Sequence, residues 1–210
     1  MTTVYQQMRI WQKHKIGEDV FKKEQQHAQS LMNQEKPRLV VQIEGRSLLS
    51  QFPESTWYYH LSEDANRHSP GYSIEVEQGF IPFPDQSIQL LILGHALELY
   101  QSHQTLLAEI ERVLAPSGVV MVSLLAKSWI VGKLPSSLHP LGGMVIHPIS
   151  IRRLKRMIQP FGLEVRLEER LFSDGSEGFS TKRLAEQVIQ PMVIELVRCS
   201  PEWVNTARVL

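Results

Sequence analysis

The chain's 210 residues carry 22 Lys and Arg against 22 Asp and Glu, so no net charge draws it toward nucleic acid or an anionic membrane. That length suits one well-buried α/β core and is short for two. The single cysteine, Cys199, excludes an internal disulfide and reads as a small apolar filler of a late strand. The first residues are polar and basic without the apolar core of a signal peptide, and no run reaches membrane-spanning length, so the expected compartment is the cytoplasm.

Residues 17–32 have the spacing of an amphipathic helix, with Val20, Phe21, Ala28, Leu31 and Met32 on one face and Lys22, Lys23, Gln25 and Gln26 opposite. Residues 1–36 are therefore expected to cover a domain spanning 37–200, with 201–210 as a tail. Strands are expected at 38–43, 57–61 and 72–77. The intervals between them are short, and parallel crossovers normally need a dozen or more residues, so only helical stubs fit, at 46–51 and 63–67. Residues 81–123 then lay out strand, loop, helix, turn and strand. The apolar run 88–93 has the form of a strand buried on both faces, and Leu106, Leu107, Ile110, Val113 and Leu114 recur at helical spacing. Pro116, Ser117 and Gly118 end that helix, and residues 119–125 form the next strand. After a Gly- and Pro-containing loop to His147, a helix at 149–159 leads to late antiparallel strands at 161–172 and 190–199.

These residues resemble the class I S-adenosylmethionine-dependent methyltransferases, specifically the type-11 methyltransferase domain. IPFPDQSIQLLIL looks like that family's fourth motif, HALEL and ERVLAPSGVVMVS like the two segments that follow it, and FGLEV at 161–165 like a later one. Trp11, the 17–24 segment and the loop after the fifth strand look like a divergent branch of that superfamily. The resemblance implies a Rossmann-like α/β fold with a seven-stranded, mostly parallel sheet, its last strand antiparallel and its first half thinly covered by helices. It also implies S-adenosylmethionine as cofactor and methyl transfer to a small-molecule acceptor; the other reading is a non-catalytic scaffold of that fold serving a protein partner.

In the family, the first strand ends in an acidic residue and a GxGxG loop. Here the stretch runs Gln42, Ile43, Glu44, Gly45, Arg46, Ser47, Leu48, placing Glu44, Arg46 and Leu48 at the glycine positions and giving the loop a degenerate form. The side chains at these positions read either as filling space that the ligand would use or as a replacement for the glycines, with Arg46 meeting a carboxylate and Glu44 an ammonium, the two charges of a methionine-like group. His60 stands where the family has an acidic ribose ligand. Glu77 and Gln78 stand where it recognises adenine, and Gln89 replaces the Asp of the fourth motif, so several substitutions fall within reach of one ligand.

Gly94 and His95 close the fourth strand at the end where open α/β sheets bind ligands. His95 reads either as a general base facing the methyl group or as a helix-start residue that caps or packs. Trp129, His139, Gly142, Gly143 and His147 read as a lid over a substrate or as an ordinary connection. Arg152, Arg153, Lys155 and Arg156 form a basic face on the late helix, either solvated or phosphate-binding. No histidine pair or cysteine partner has zinc-ligand spacing, and no P-loop or nucleophile elbow is present.

Overall fold

Runs of Leu, Ile and Val without polar alternation form the centre of the structure, a computed structural model that describes residues 8, 12–13, 15–63, 70–127, 149–171 and 189–199. Helix α1 (Lys15–Glu35) precedes strands β1 (Leu39–Ile43), β2 (Trp57–Ser62), β3 (Tyr72–Glu75) and β4 (Ile88–Gly94). Helices α2 (Ala96–Leu99) and α3 (His103–Val113) lead to β5 (Leu114–Lys127). Helix α4 (Ile151–Ile158), a 3-10 turn (Gln159–Phe161) and strands β6 (Leu163–Arg170) and β7 (Ile189–Arg198) complete the described chain.

The seven strands form one sheet in the order β3-β2-β1-β4-β5-β7-β6. All pairs are parallel except those of β7, which runs antiparallel to both β5 and β6. This is the sheet the sequence resemblance implies. The order reverses between β1 and β4, because the chain steps outward from β1 to β3 and then returns on the other side of β1. Crevices at such reversals, outside the carboxyl ends of the strands, are where open α/β sheets bind ligands. The middle strands β4 and β5 are buried on both faces, which accounts for their unbroken apolar runs.

Helix α1 extends beyond the expected 17–32 and buries Val20, Phe21, Ala28, Leu31 and Met32 as the periodicity predicts. Ser102 caps α3 by accepting from Thr105 N–H, and the helix buries Leu106, Leu107, Ile110 and Val113. Its end is abrupt. Leu114 already pairs with Ile88, while Leu90 pairs with Val119, so residues 115–118 bulge between two ladder positions. Arg112 holds the preceding loop against this helix, donating to Ile81 O at 2.9 Å, Phe83 O at 2.8 Å, Asp85 Oδ1 at 2.8 Å and Glu109 Oε2 at 2.7 Å. That grip ties the PFPD segment to the ERVL segment. Cys199 lies partly buried just after β7, where burial and then the Glu164 charge push its thiol pKa up.

The first half of the sheet differs from expectation. No helix forms at 46–51; side-chain hydrogen bonds hold this stretch in irregular backbone instead, as described below. Most of the second expected stub, 63–67, lies outside the described residues. At the β2–β3 edge, Trp57 and Tyr72 stack with ring centroids 6.0 Å apart and each remains 56% exposed.

Two glycines at the sheet reversal touch backbone to backbone. A Cβ on Gly45, whose φ is +72°, would lie 2.8 Å from Gly94 O, and a Cβ on Gly94 would lie 2.6 Å from Glu44 O. Gly45→Ala is expected to lose stability by about 1–3 kcal/mol from overpacking, beyond its conformational cost. Gly162→Ala, equally left-handed at φ +61° but with nothing within 4 Å, loses only the conformational part, about 1–2 kcal/mol. Urea unfolding of the two variants checks the difference.

Candidate functional site

The loop leaving β1 is organised around a single buried amide. Gln42 Nε2 donates to Glu44 O at 2.9 Å and Arg46 O at 2.6 Å, while its Oε1 accepts from Leu48 N–H at 2.9 Å and Tyr58 Oη at 2.7 Å. All four hydrogen-bonding positions of the amide are thereby used. A carboxylate there has nothing to donate to the two carbonyls, so the chemistry of this loop requires the amide.

Glu44 follows directly, fully buried and left-handed at φ 58°. Its Oε1 accepts from Glu63 N–H at 3.1 Å and from Tyr100 Oη at 3.4 Å. Glu44 therefore keeps a positive φ while carrying a side chain, at a cost of about 1–2 kcal/mol. Arg46 turns outward to α1, donating to Glu18 Oε1 at 2.8 Å and lying 3.7 Å over the Phe21 ring. Leu48 is buried in the core.

His60 lies inside β2, opposite Gln42, rather than beyond its end. It is buried, and Nε2 lies 3.2 Å from Glu44 O; a carbonyl only accepts, so Nε2 carries the proton. The first residue beyond β2 is Glu63, with an exposed side chain. Glu77 is exposed and Gln78 half-buried in the turn after β3, which ends two residues earlier than expected. Gln89 corrects the expectation of substitutions clustered around one ligand. It lies at the opposite, amino end of β4, where its Oε1 accepts from Arg38 N–H at 2.6 Å and Leu39 N–H at 3.1 Å. Trp129, His139, Gly142, Gly143 and His147 lie outside the described residues.

His95 ends β4 with φ 61°, and its ring is buried between two carboxylates. Nε2 lies 3.2 Å from Glu24 Oε1 of α1 and Nδ1 lies 3.5 Å from Glu98 Oε1 of α2. Glu98 Oε1 also accepts from Leu125 N–H, so α2, β5 and α1 meet at this group. Burial alone lowers the histidine pKa; Glu24 and then Glu98 outweigh it and raise the value to about 10. With a carboxylate facing each ring nitrogen, the arrangement is that of a buried ion-pair centre. Glu24 and Tyr100 are contributors that sequence patterning missed, and the loop-organising part of Gln42 was not foreseen. Glu24 had a signal, since it falls on the same helical face as Val20, Phe21 and Ala28. Among the described residues, no group of three or more His, Cys, Asp and Glu side chains is arranged to hold a metal ion.

Residues 59–122 match the family model described as a methyltransferase domain. A chain of the complex between the Haloferax volcanii Trm112 methyltransferase activator and a methyltransferase superposes with TM-score 0.66 at 14% identity, covering 91% of this chain and 95% of that one. The chain has the class I methyltransferase fold. Geranyl diphosphate C-methyltransferase from Streptomyces coelicolor A3(2), solved with S-adenosyl-L-homocysteine, shares it with TM-score 0.60 at 14% identity, over 82% of this chain and 80% of that one. An S-adenosylmethionine-dependent methyltransferase from Thermotoga maritima also gives TM-score 0.60, at 15% identity over 84% of this chain and 88% of that one. No curated protein matches the chain in sequence. Within this methyltransferase fold, Glu44, Gly45, Gly94 and His95 occupy the carboxyl ends of β1 and β4. No helix among the described residues is long and apolar enough to cross a membrane.

The buried histidine sets a pH dependence. Its folded pKa of about 10 exceeds the ordinary 6.5, so the stability it contributes is fully present below pH 6.5 and is lost as pH rises through 10. Unfolding midpoints of the native chain are expected to fall across that window, and Glu24→Gln is expected to move the fall to lower pH. Denaturant titrations from pH 6 to pH 10 read both.

Proposed function

We propose that the chain is an S-adenosylmethionine-dependent methyltransferase that acts on a small-molecule acceptor, with the cofactor seated where β1 and β4 part. The observation that carries this reading is the backbone at that point: Glu44, Gly45 and His95 all have positive φ, two of them without being glycine. Backbone strain of this kind persists only where surrounding structure holds it, and it clusters at ligand sites. The match over 59–122 and the cofactor-bound neighbours support the same reading.

The residues fit the adenosine part of such a ligand. Glu63 offers a carboxylate at the end of β2, the role first expected of His60, and Glu77 offers another beyond β3; both have exposed side chains able to accept from hydroxyl and amino groups. Gly45 and Gly94 meet backbone to backbone at the neighbouring ends of β1 and β4. The loop for the methionine part is closed around Gln42, with Arg46 held by Glu18, so Arg46 must leave that partner to meet a carboxylate. When bound, the cofactor supplies a methyl group on a sulfonium sulfur. The chain's part is to align the acceptor and exclude water, work that needs no proton-transferring side chain.

A shift in melting temperature tests the proposal. At about a hundred times its dissociation constant a ligand adds ~2.7 kcal/mol, which for this size raises the midpoint by roughly 5–10 °C. S-adenosylmethionine and its demethylated product are expected to produce that rise, and Glu63→Ala to abolish it. No rise at millimolar ligand overturns the proposal in favour of a methyltransferase fold kept as a scaffold for a protein partner.

A further inference from the structure

A second concave site lies between α3 and α4, where a cavity of about 560 Å³ has Arg153, Arg156 and His103 on its walls and Leu107, Met157 and Phe161 among its apolar lining. Ligand pockets span about 300–1,000 Å³. The basic residues of α4 divide by helical geometry. Arg153, Arg156, Met157 and Pro160 recur at i, i+3, i+4 and i+7 and share the cavity-facing stripe, whereas Lys155 pairs with Glu168 at 3.1 Å and Arg152 is not part of the lining. Among the described residues, no carboxylate pairs with Arg153 or Arg156. On the facing helix, His103 Nε2 donates to Leu97 O at 2.7 Å, which fixes the ring at the wall.

We propose that this cavity binds the phosphate group of a small phosphomonoester whose apolar body rests against Leu107, Met157 and Phe161. Two guanidinium groups one helical turn apart present forked donors to several oxygens at once, which suits the three terminal oxygens of a phosphate better than the two of a carboxylate. Their combined charge of about +2 balances the roughly −1.5 to −2 of a phosphomonoester at neutral pH. The apolar side of the cavity selects against bare inorganic phosphate, because it offers that ion nothing but desolvation. This site stands whether or not the sheet reversal holds S-adenosylmethionine.

Isothermal titration of the full chain with phenyl phosphate and with inorganic phosphate tests the assignment. Phenyl phosphate is expected to bind about tenfold or more tightly than inorganic phosphate, since burying a ring on an apolar floor is worth at least ~1.5 kcal/mol. Arg153→Gln/Arg156→Gln is expected to lose at least tenfold, the ~1.4 kcal/mol of one charge-assisted hydrogen bond, while Arg152→Gln retains native affinity. Both arginines are exposed, so thermal midpoints of the variants are expected to match the native chain. Absence of heat with phenyl phosphate overturns the proposal, as does a double variant that binds normally. An equal loss in Arg152→Gln also overturns it, because that marks general surface attraction.

Discussion

Gly45 and Gly94 bring the carboxyl ends of β1 and β4 closer than any side chain allows, and the arrangement around them follows from that contact. With the two backbones touching, the residues on either side must turn sharply, which places Glu44 and His95 in left-handed conformations. Gln42 then stabilises the irregular backbone beyond β1 with its two donors and two acceptor positions. A loop held this way needs no glycine at Arg46 or Leu48, because neither has a positive φ. The amide that does this stands within β1, two residues before Glu44.

The same reversal draws in the N-terminal helix. Polar contacts fasten α1 to later parts of the chain along its length: Glu18 to Arg46, Lys23 to Leu171 O, Glu24 to His95, His27 to Glu195 of β7 at 2.9 Å and to Glu169 of β6, and Glu35 to Arg166 of β6. Of these, the Glu24–His95 pair is the most buried, and with Glu98 it places two carboxylates and one imidazolium in the core. Removing one partner of such a group leaves an uncompensated buried charge, so the set is kept or lost together. What reads in sequence as an amphipathic cover is also an electrostatic latch over the mouth of the sheet.

Most of the architecture was legible because buried parallel strands and amphipathic helices have distinct periods: residues 88–94, 103–113 and 119–125 show them without ambiguity. The first half was less so. Residues 46–51 have polar content compatible with a short helix, and only the geometry shows that Gln42 commits their backbone elsewhere. Of the residues singled out from the sequence, Glu44, Gly45, Gly94 and His95 do lie together, at the carboxyl ends of β1 and β4. His60 lies within β2, and Glu63 is the first residue beyond that strand's end. Gln89 was misjudged because a motif position carries no information about which end of a strand faces the ligand. Glu24 and Tyr100 act across 71 and 56 residues of chain, on His95 and Glu44, and no local pattern reports such distances.

The position of α1 ahead of the strands it covers bears on how the protein assembles. It is made before the sheet it covers, and partners of its polar side chains come later in the chain: Arg46, then His95, Arg166, Glu169 and Leu171, and Glu195 near the close of β7. Most of the stability of an amphipathic helix in a protein comes from packing its apolar face rather than from intrinsic propensity. During synthesis α1 therefore waits undocked, its apolar stripe open to chaperones or to neighbouring nascent chains, until the central strands arrive to receive it.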